Sequence, residues 1–494
     1  MLQLTGLDTS FLNIETATTY GHISGLAIFD PSTAPGPITL DDVKQLILER
    51  IHLLPPYRRR LVEVPLGLDH PYWIEDPDFD IDFHVRHMGL PPPGDARQLG
   101  EQVSRIVGRP LDRRRPLWEL YLIEGLEGGY LAQLTKIHHC AIDGVSGAEI
   151  LTTLLDVTPE PRRVEPPRRA WRPEAEPTQV EMLARGLWGV AGTPRKAYRV
   201  GREALRNLSA VADSLGLPEL PGSGLLNRLI GRRNEPLLSK EDTPVPRTPF
   251  NDRITPHRRF AFGSLSLDDV KEIKSQLGVT VNDVVMAICA GALRRYLEER
   301  GQLPADPLVA MVPVSVRTEE QKGSFGNQVS AMTASLHTHV ADPIQRLDRI
   351  HESMRVAKER HKALPATLLQ DFAQFAPPAV AARAARVIAR ATVADWMDVP
   401  FNVVISNVPG PQFPVYGMGA KLVANYPVSA INDGVGLNIT VQSYDGSLDF
   451  GLVACRELMP DVWDLMDGLR HSLQELKQAA KEAGIRRDAE AERD

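Results

Sequence analysis

Cysteine is scarce in this 494-residue chain: Cys140, Cys289 and Cys455 form an odd set with no paired spacing. That offers neither a disulfide scaffold nor a cysteine cage for a metal, and it fits a reducing compartment, by default the cytoplasm. Long apolar runs are missing as well. No stretch approaches 18 uninterrupted apolar residues, and the opening MLQLTGLDTSFL lacks the basic region and apolar core of a secretory signal, so neither a transmembrane span nor export is expected. A strong net charge is absent too: 56 basic against 63 acidic residues leave −7, which excludes a surface built throughout for nucleic acid. The glycines form no phosphate loop or dinucleotide fingerprint, and no internal repeat is visible. What remains, 43% hydrophobic and 24% charged residues, is ordinary for a folded, water-facing protein of two or three domains.

Proline is the exception to scarcity, with 40 residues, about 8% against a usual 5%. Residues 158–177 hold six prolines, five arginines and four glutamates without an apolar period, which predicts an extended, solvated connector. A second proline-rich stretch covers 236–256. The division expected is therefore residues 1–157, a linker and helical crossover over 158–256, residues 257–475, and a charged tail over 476–494. Before the connector, Val43, Leu46, Ile47 and Ile51 mark a helix, and strand-like runs at Leu120–Ile123 and Tyr130–Ile137 flank a Gly125–Gly129 hairpin. Beyond it, helices are expected over 268–276, 281–299 and 343–361, and strands over 308–314, 329–336, 401–405 and 437–442. Each half reads as a mixed sheet covered by helices, an α/β architecture.

Chemistry concentrates between the strand ending at Ile137 and the helix starting near Val145. There the chain reads His138-His139-Cys140-Ala141-Ile142-Asp143-Gly144, an HHxxxDG pattern. Successive strand side chains point to opposite faces, so only one histidine is a candidate base for a shared cavity. An imidazole titrating near neutrality takes a proton from a hydroxyl at cellular pH. Asp143 caps the helix or pairs with a cation, and Gly144 allows a sharp turn. A zinc site from three consecutive residues is a poor fit to a tetrahedral ion. Gly144-Val145-Ser146-Gly147-Ala148 lacks the final glycine of a serine-hydrolase elbow. Further along, Thr280-Val281-Asn282-Asp283 has the form of a capping box before a buried helix, with Asn282 a candidate donor to an oxyanion. Arg195, Lys196, Arg199, Arg202 and Arg206 flank Tyr198, Leu205, Leu208 and Ala212 on a basic amphipathic helix, suited either to anionic lipid or to packing between domains.

The His138–Gly144 segment resembles the motif of the coenzyme A-dependent acyltransferase superfamily. Leu7-Asp8-Thr9-Ser10-Phe11-Leu12, Pro116-Leu117-Trp118, Asn282-Asp283-Val284, Gly326-Asn327, Ser406-Asn407-Val408-Pro409-Gly410-Pro411 and Gly436-Leu437-Asn438 resemble its bacterial wax ester synthase/acyl-CoA:diacylglycerol acyltransferase branch. The resemblance implies two similar, chloramphenicol-acetyltransferase-like domains with the active site in a channel at their interface. It implies an O-acyltransferase that joins a fatty acyl-CoA to diacylglycerol or a long-chain alcohol, with His139 as general base, Asp143 structural and paired with Arg317, and no cofactor beyond acyl-CoA as co-substrate. Pro116, Leu117, Trp118, Asn327, Ser406 and Asn407 are the implied substrate-binding residues, and a peripheral place on the inner membrane or lipid inclusions follows from so apolar an acceptor. Two rival readings stay open: a relative that takes its acyl group from a carrier protein, and a non-catalytic protein that binds lipid droplets or membranes.

Overall fold

The computed structural model describes residues 1–142, 150–167, 171–191, 245–315, 329–363 and 400–491. Among them are two six-stranded mixed sheets and one small three-stranded sheet. The small sheet joins β1 (Leu2–Gln3), β4 (Tyr72–Glu75) and β3 (Arg59–Val62) in that order. The first large sheet contains β2 (His22–Asp30), β5 (Val85–Gly89), β6 (Trp118–Glu124) and β7 (Leu131–His138), together with β12 (Tyr416–Gly417) and β13 (Ala420–Val428). Its order is β12-β13-β2-β7-β6-β5, antiparallel except for the β5/β6 pair.

The second large sheet contains β8 (Arg258–Ser266), β9 (Val309–Ser315), β10 (Val329–Ser335), β11 (Val403–Val408), β14 (Leu437–Tyr444) and β15 (Ser447–Cys455), in the order β10-β9-β11-β14-β15-β8. Here β11 runs parallel to both of its neighbours, and the remaining pairs are antiparallel. The α/β reading with a mixed sheet in each half therefore describes the molecule, and every strand and helix expected for the second half is present within a few residues. The assignment of the chain after residue 400 wholly to the second half needs correcting. Residues 416–428 join the first sheet as β12 and β13, and β13 pairs with β2, Lys421 lying opposite Asp30 and Val428 opposite Ser24.

Local chemistry explains the helices. In α1 (Gly6–Asn13) the Thr5 side chain accepts from the Asp8 amide, and in α2 (Leu40–Arg50) Thr39 and Asp42 close a capping box. Helix α3 (Ala96–Val107) buries Leu99, Val103, Ile106 and Val107 in a core shared with Leu26 and Leu134 of the first sheet and with Phe260, Phe262 and Val453 of the second. It is the layer between the sheets. Gly100 makes this possible, because a Cβ there would stand 2.7 Å from the Phe260 carbonyl oxygen. The outer face of the second sheet is covered by α4 (Leu267–Leu277), α5 (Val281–Glu298), α6 (Pro343–Ala363) and α7 (Val462–Ala491), which share one apolar core. Helix α5 is buried along most of its length. The first sheet's far face packs Val43 and Ile47 of α2 and the helical residues Ile150 and Leu154 against Trp118, Leu120 and Leu122.

The connector is extended as expected over its described residues, yet it is not simply solvated. Trp171 Nε1 donates to Glu75 Oε2 (3.0 Å) and Arg60 pairs with Glu176 (2.8 Å), so it is clipped to the small sheet. The basic stretch over 195–212 lies outside the described residues.

Candidate active site

Strand β7 ends at His138, which stands opposite His22 of β2. The His139 amide continues the ladder by donating to the Gly21 carbonyl (2.7 Å), and the Ala141 amide then donates back to His138 O (3.0 Å), so the chain turns sharply. Strand alternation separates the two imidazoles. His138 is 1% exposed, whereas His139 is half-buried. The Cys140 amide donates to His138 Nδ1 (3.1 Å), and His138 Nε2 lies 3.2 Å from Glu15 Oε1, off the axis of a straight hydrogen bond. The His139 ring stacks on Phe11 of α1, with centroids 4.1 Å apart and planes 5° from parallel. Residue 21 has no room for a side chain, since a Cβ would fall 2.6 Å from His138 Nε2 and 2.8 Å from the Phe11 carbonyl.

A second cluster forms where α5 begins. Thr280 and Asp283 close the anticipated capping box, with Thr280 N donating to Asp283 Oδ2 (2.9 Å) and Asp283 N to Thr280 Oγ1 (3.2 Å). The same carboxylate oxygen lies 2.7 Å from His351 Nδ1. Beside it, Asn407 Nδ2 of β11 donates to Asn282 Oδ1 (3.4 Å). Two motif segments more than a hundred residues apart in sequence thus meet at side-chain level. A small cavity of about 20 Å³, room for about one water, lies between the helix after the motif and the second strand system. It is lined by Leu151 and Leu155 from the helix after the HHxxxDG motif, by Pro411 from the turn after Asn407, and by Val415, Leu422 and Tyr444. A cleft of about 400 Å³ lies among Asp76, Asp78, Phe83, Asp112, Arg114 and Arg115 and touches neither cluster.

The profile of the wax ester synthase/diacylglycerol acyltransferase catalytic domain matches residues 4–285, and that of the WS/DGAT C-terminal domain matches residues 325–477. The chain belongs to the wax ester synthase/diacylglycerol acyltransferase family. It is accordingly an acyltransferase. A probable diacylglycerol O-acyltransferase of Mycobacterium tuberculosis is 37% identical over 481 residues, covering 96% of this chain and 98% of the relative. The solved wax ester synthase/diacylglycerol acyltransferase of Marinobacter aquaeolei VT8 superposes with a TM-score of 0.68 at 32% identity, covering 97% of this chain and all of that one. The first condensation domain of the CDA synthetase shares the fold at a TM-score of 0.54 and 16% identity, over 97% of this chain and 95% of that one.

Several of the expected contact residues are packed into the fold. Trp118 is fully buried, its Nε1–H donates to the Tyr57 carbonyl (2.9 Å), and its ring stacks on His84 at 4.4 Å. Leu117 packs in a cluster with Leu12, Leu111 and Cys140, and Pro116 is buried, with its carbonyl accepting from the Trp118 amide (2.8 Å). The Pro116–Trp118 segment therefore supports the floor of the histidine loop. Ser406 is half-buried in β11 opposite Thr440. Asp143, Gly144, Arg317 and Asn327 lie outside the described residues. Among the described residues no group of three or more His, Cys, Asp or Glu side chains is placed to hold a metal, and no single helix is long and apolar enough to cross a membrane.

Three residues around the histidines escaped the sequence reading as contributors: Glu15, Gly21 and Arg113. Nothing in their local pattern marks them, because each acts through a strand or loop far away in the chain.

Proposed function

We propose that this acyltransferase moves a fatty acyl group from acyl-CoA to the hydroxyl of diacylglycerol or of a long-chain alcohol, with His139 as general base. His139 takes the proton of the acceptor hydroxyl as its oxygen attacks the thioester carbonyl, giving a tetrahedral oxyanion. Collapse of that intermediate forms the ester, breaks the carbon–sulfur bond, and returns the proton from His139 to the departing CoA thiolate. No acyl-enzyme and no prosthetic group enters. The Asn407 contact leaves the Asn282 NH₂ group free to donate to the oxyanion, where such a donor is typically worth about 10²- to 10³-fold in rate. Asp143 with Arg317 as structural partner, and Asn327 and Ser406 as substrate contacts, complete the proposed set.

The observation that carries the proposal is the place of His139. It is the histidine turned out of the sheet's interior, at the end of a strand, held flat against an aromatic ring, in a chain of this family. A family acceptor is too apolar to dissolve, so the enzyme works at a lipid surface. The basic segment over 195–212 docks it there, and the protein stays peripheral to the inner membrane or lipid inclusions. The test is to incubate purified protein with labelled acyl-CoA and a panel of alcohols and diacylglycerols. His139→Ala is expected to lose about 10²- to 10⁴-fold in rate with an unchanged melting temperature, and His138→Ala less. Near-normal transfer by folded His139→Ala would remove the base assignment. Transfer from an acylated carrier protein but not from acyl-CoA would replace the donor.

A further inference from the structure

Both histidines are touched by one short segment of the chain, residues 11–15. Phe11 lies flat on His139. Four residues later, Glu15 is turned inward with its side chain 12% exposed and faces His138 from the other side. Its Oε1 accepts from the Gly21 amide (2.8 Å) and stands 3.2 Å from His138 Nε2. Its Oε2 accepts from Arg113 Nε (3.1 Å) and Nη2 (2.6 Å). The same Arg113 Nη2 also donates to the carbonyl of Leu12 (2.8 Å), the residue after Phe11. One guanidinium therefore ties together the two ends of a segment that grips both imidazoles.

The hydrogen bonds assign the tautomer. A backbone amide only donates, so the Cys140 N–H contact requires His138 Nδ1 to be bare. The proton of the neutral ring then sits on Nε2 and points towards the Glu15 carboxylate. A ring hydrogen-bonded at Nδ1 and faced by a carboxylate at Nε2 pins the His138–Cys140 turn, and that turn sets where the His139 side chain leaves the backbone.

We propose that Glu15, anchored by Arg113, is a positioning residue for the catalytic pair: its carboxylate faces the Nε2–H of His138 and so holds the ring and the turn that carries His139, while Phe11 on the same segment fixes the plane of the His139 ring. The inference rests on the reading of His139 as base. It concerns reach and not proton transfer, since Glu15 itself touches neither substrate. Misplacement by an ångström far from the reacting atoms costs about 10²-fold in rate, which sets the scale. Burial alone would raise the Glu15 carboxyl, but its contacts with His138, the Gly21 amide and Arg113 together bring it down to about 2, so it stays an anionic acceptor throughout the working pH range.

The test uses the full-length protein with Glu15→Gln, which keeps the shape and removes the charge, and Arg113→Lys, which keeps a charge near Glu15 but gives up the two-ended tie. Expected for Glu15→Gln is a fall in kcat of about 10- to 100-fold with the KM of both substrates within about twofold. With ¹⁵N-labelled histidine, the His138 Nε2–H signal is expected to shift from its position in the parent. Arg113→Lys should lose less, with the same kcat-only signature, and it carries the test if Glu15→Gln does not fold. Parent-like kcat in the folded variants, or a loss confined to KM, overturns the proposal. His139→Ala separates the two levels: if it stays active, the base assignment fails, and if it is inactive while the Glu15 and Arg113 variants are not, only the positioning role fails.

Discussion

Asp449 is an acid in the wrong solvent. It is fully buried where the two large sheets meet, and its carboxylate is met by two neutral donors, the Ser264 hydroxyl (2.6 Å) and the Asn425 amide (2.8 Å). Burial pushes its pKa up from 3.8 to about 6 against the pull of those hydrogen bonds. An acid whose folded value is raised supplies its full share of stability below the unfolded value and loses it as pH rises through the folded one. The penalty therefore grows from about pH 4 to pH 6 and then levels, at roughly 3 kcal/mol for a shift of this size. Asp449→Asn keeps an acceptor for the Asn425 amide and carries no charge. Its melting temperature should exceed the parent's at pH 8 and match it at pH 4, and equal melting of the two at pH 8 would show that the buried charge costs nothing. The residue-scale chemistry was legible where it was local: the HHxxxDG spacing named the histidines, and strand alternation separated them. Glu15 was not legible, because its meaning comes from Arg113, 98 residues away, and from a strand end further still.

Elements divide in the same way. Helix α5 announced itself through Thr280 and Asp283, a capping pair three residues apart, and through an apolar run that can be read without knowing its neighbours. The strands β13 and β15 did not. Their sequences, AKLVANYPV and SLDFGLVAC, carry a proline and a glycine that weaken a strand reading, and both residues are there for the contact between sheets. A Cβ on Gly451 would sit 1.7 Å from the Pro427 carbonyl oxygen, so β13 approaches β15 backbone to backbone. Gly451→Ala must push the sheets apart, and its cost should lie at or above the upper end of the roughly 1 to 3 kcal/mol usual for overpacking. Thermal melting reads the loss. Because the same shift moves Asn425 and Gln442, which line the cavity next to the motif helix, transfer activity should fall with it, and a parent-like Tm would mean that the seam yields without strain.

At the scale of the whole molecule, function joins surfaces that the chain supplies from distant places. Net charge is −7, so attraction to anionic lipid has to come from a local basic patch within a Debye length of the headgroups. Sedimentation with anionic vesicles should be weakened by high salt and abolished by glutamate at Arg195, Arg199 and Arg202, with activity on a water-soluble short-chain acceptor retained. Binding of the triple variant as tight as the parent's would return that segment to a connector. The two-sheet architecture was legible from alternating strand and helix periods, but the exchange of β12 and β13 was not, since nothing in the local sequence says which sheet a strand will join. That exchange bears on how the protein is made. Thr33, just past β2, bonds to Gly419, 386 residues later, so at a synthesis rate of about 5 to 20 residues per second the edge of β2 waits roughly 20 to 80 s on the ribosome for its partner. For that interval the nascent chain carries an open strand next to the future active site. The histidine loop acquires its finished surroundings only after β13 has been made, and a product truncated before it leaves that edge unpaired.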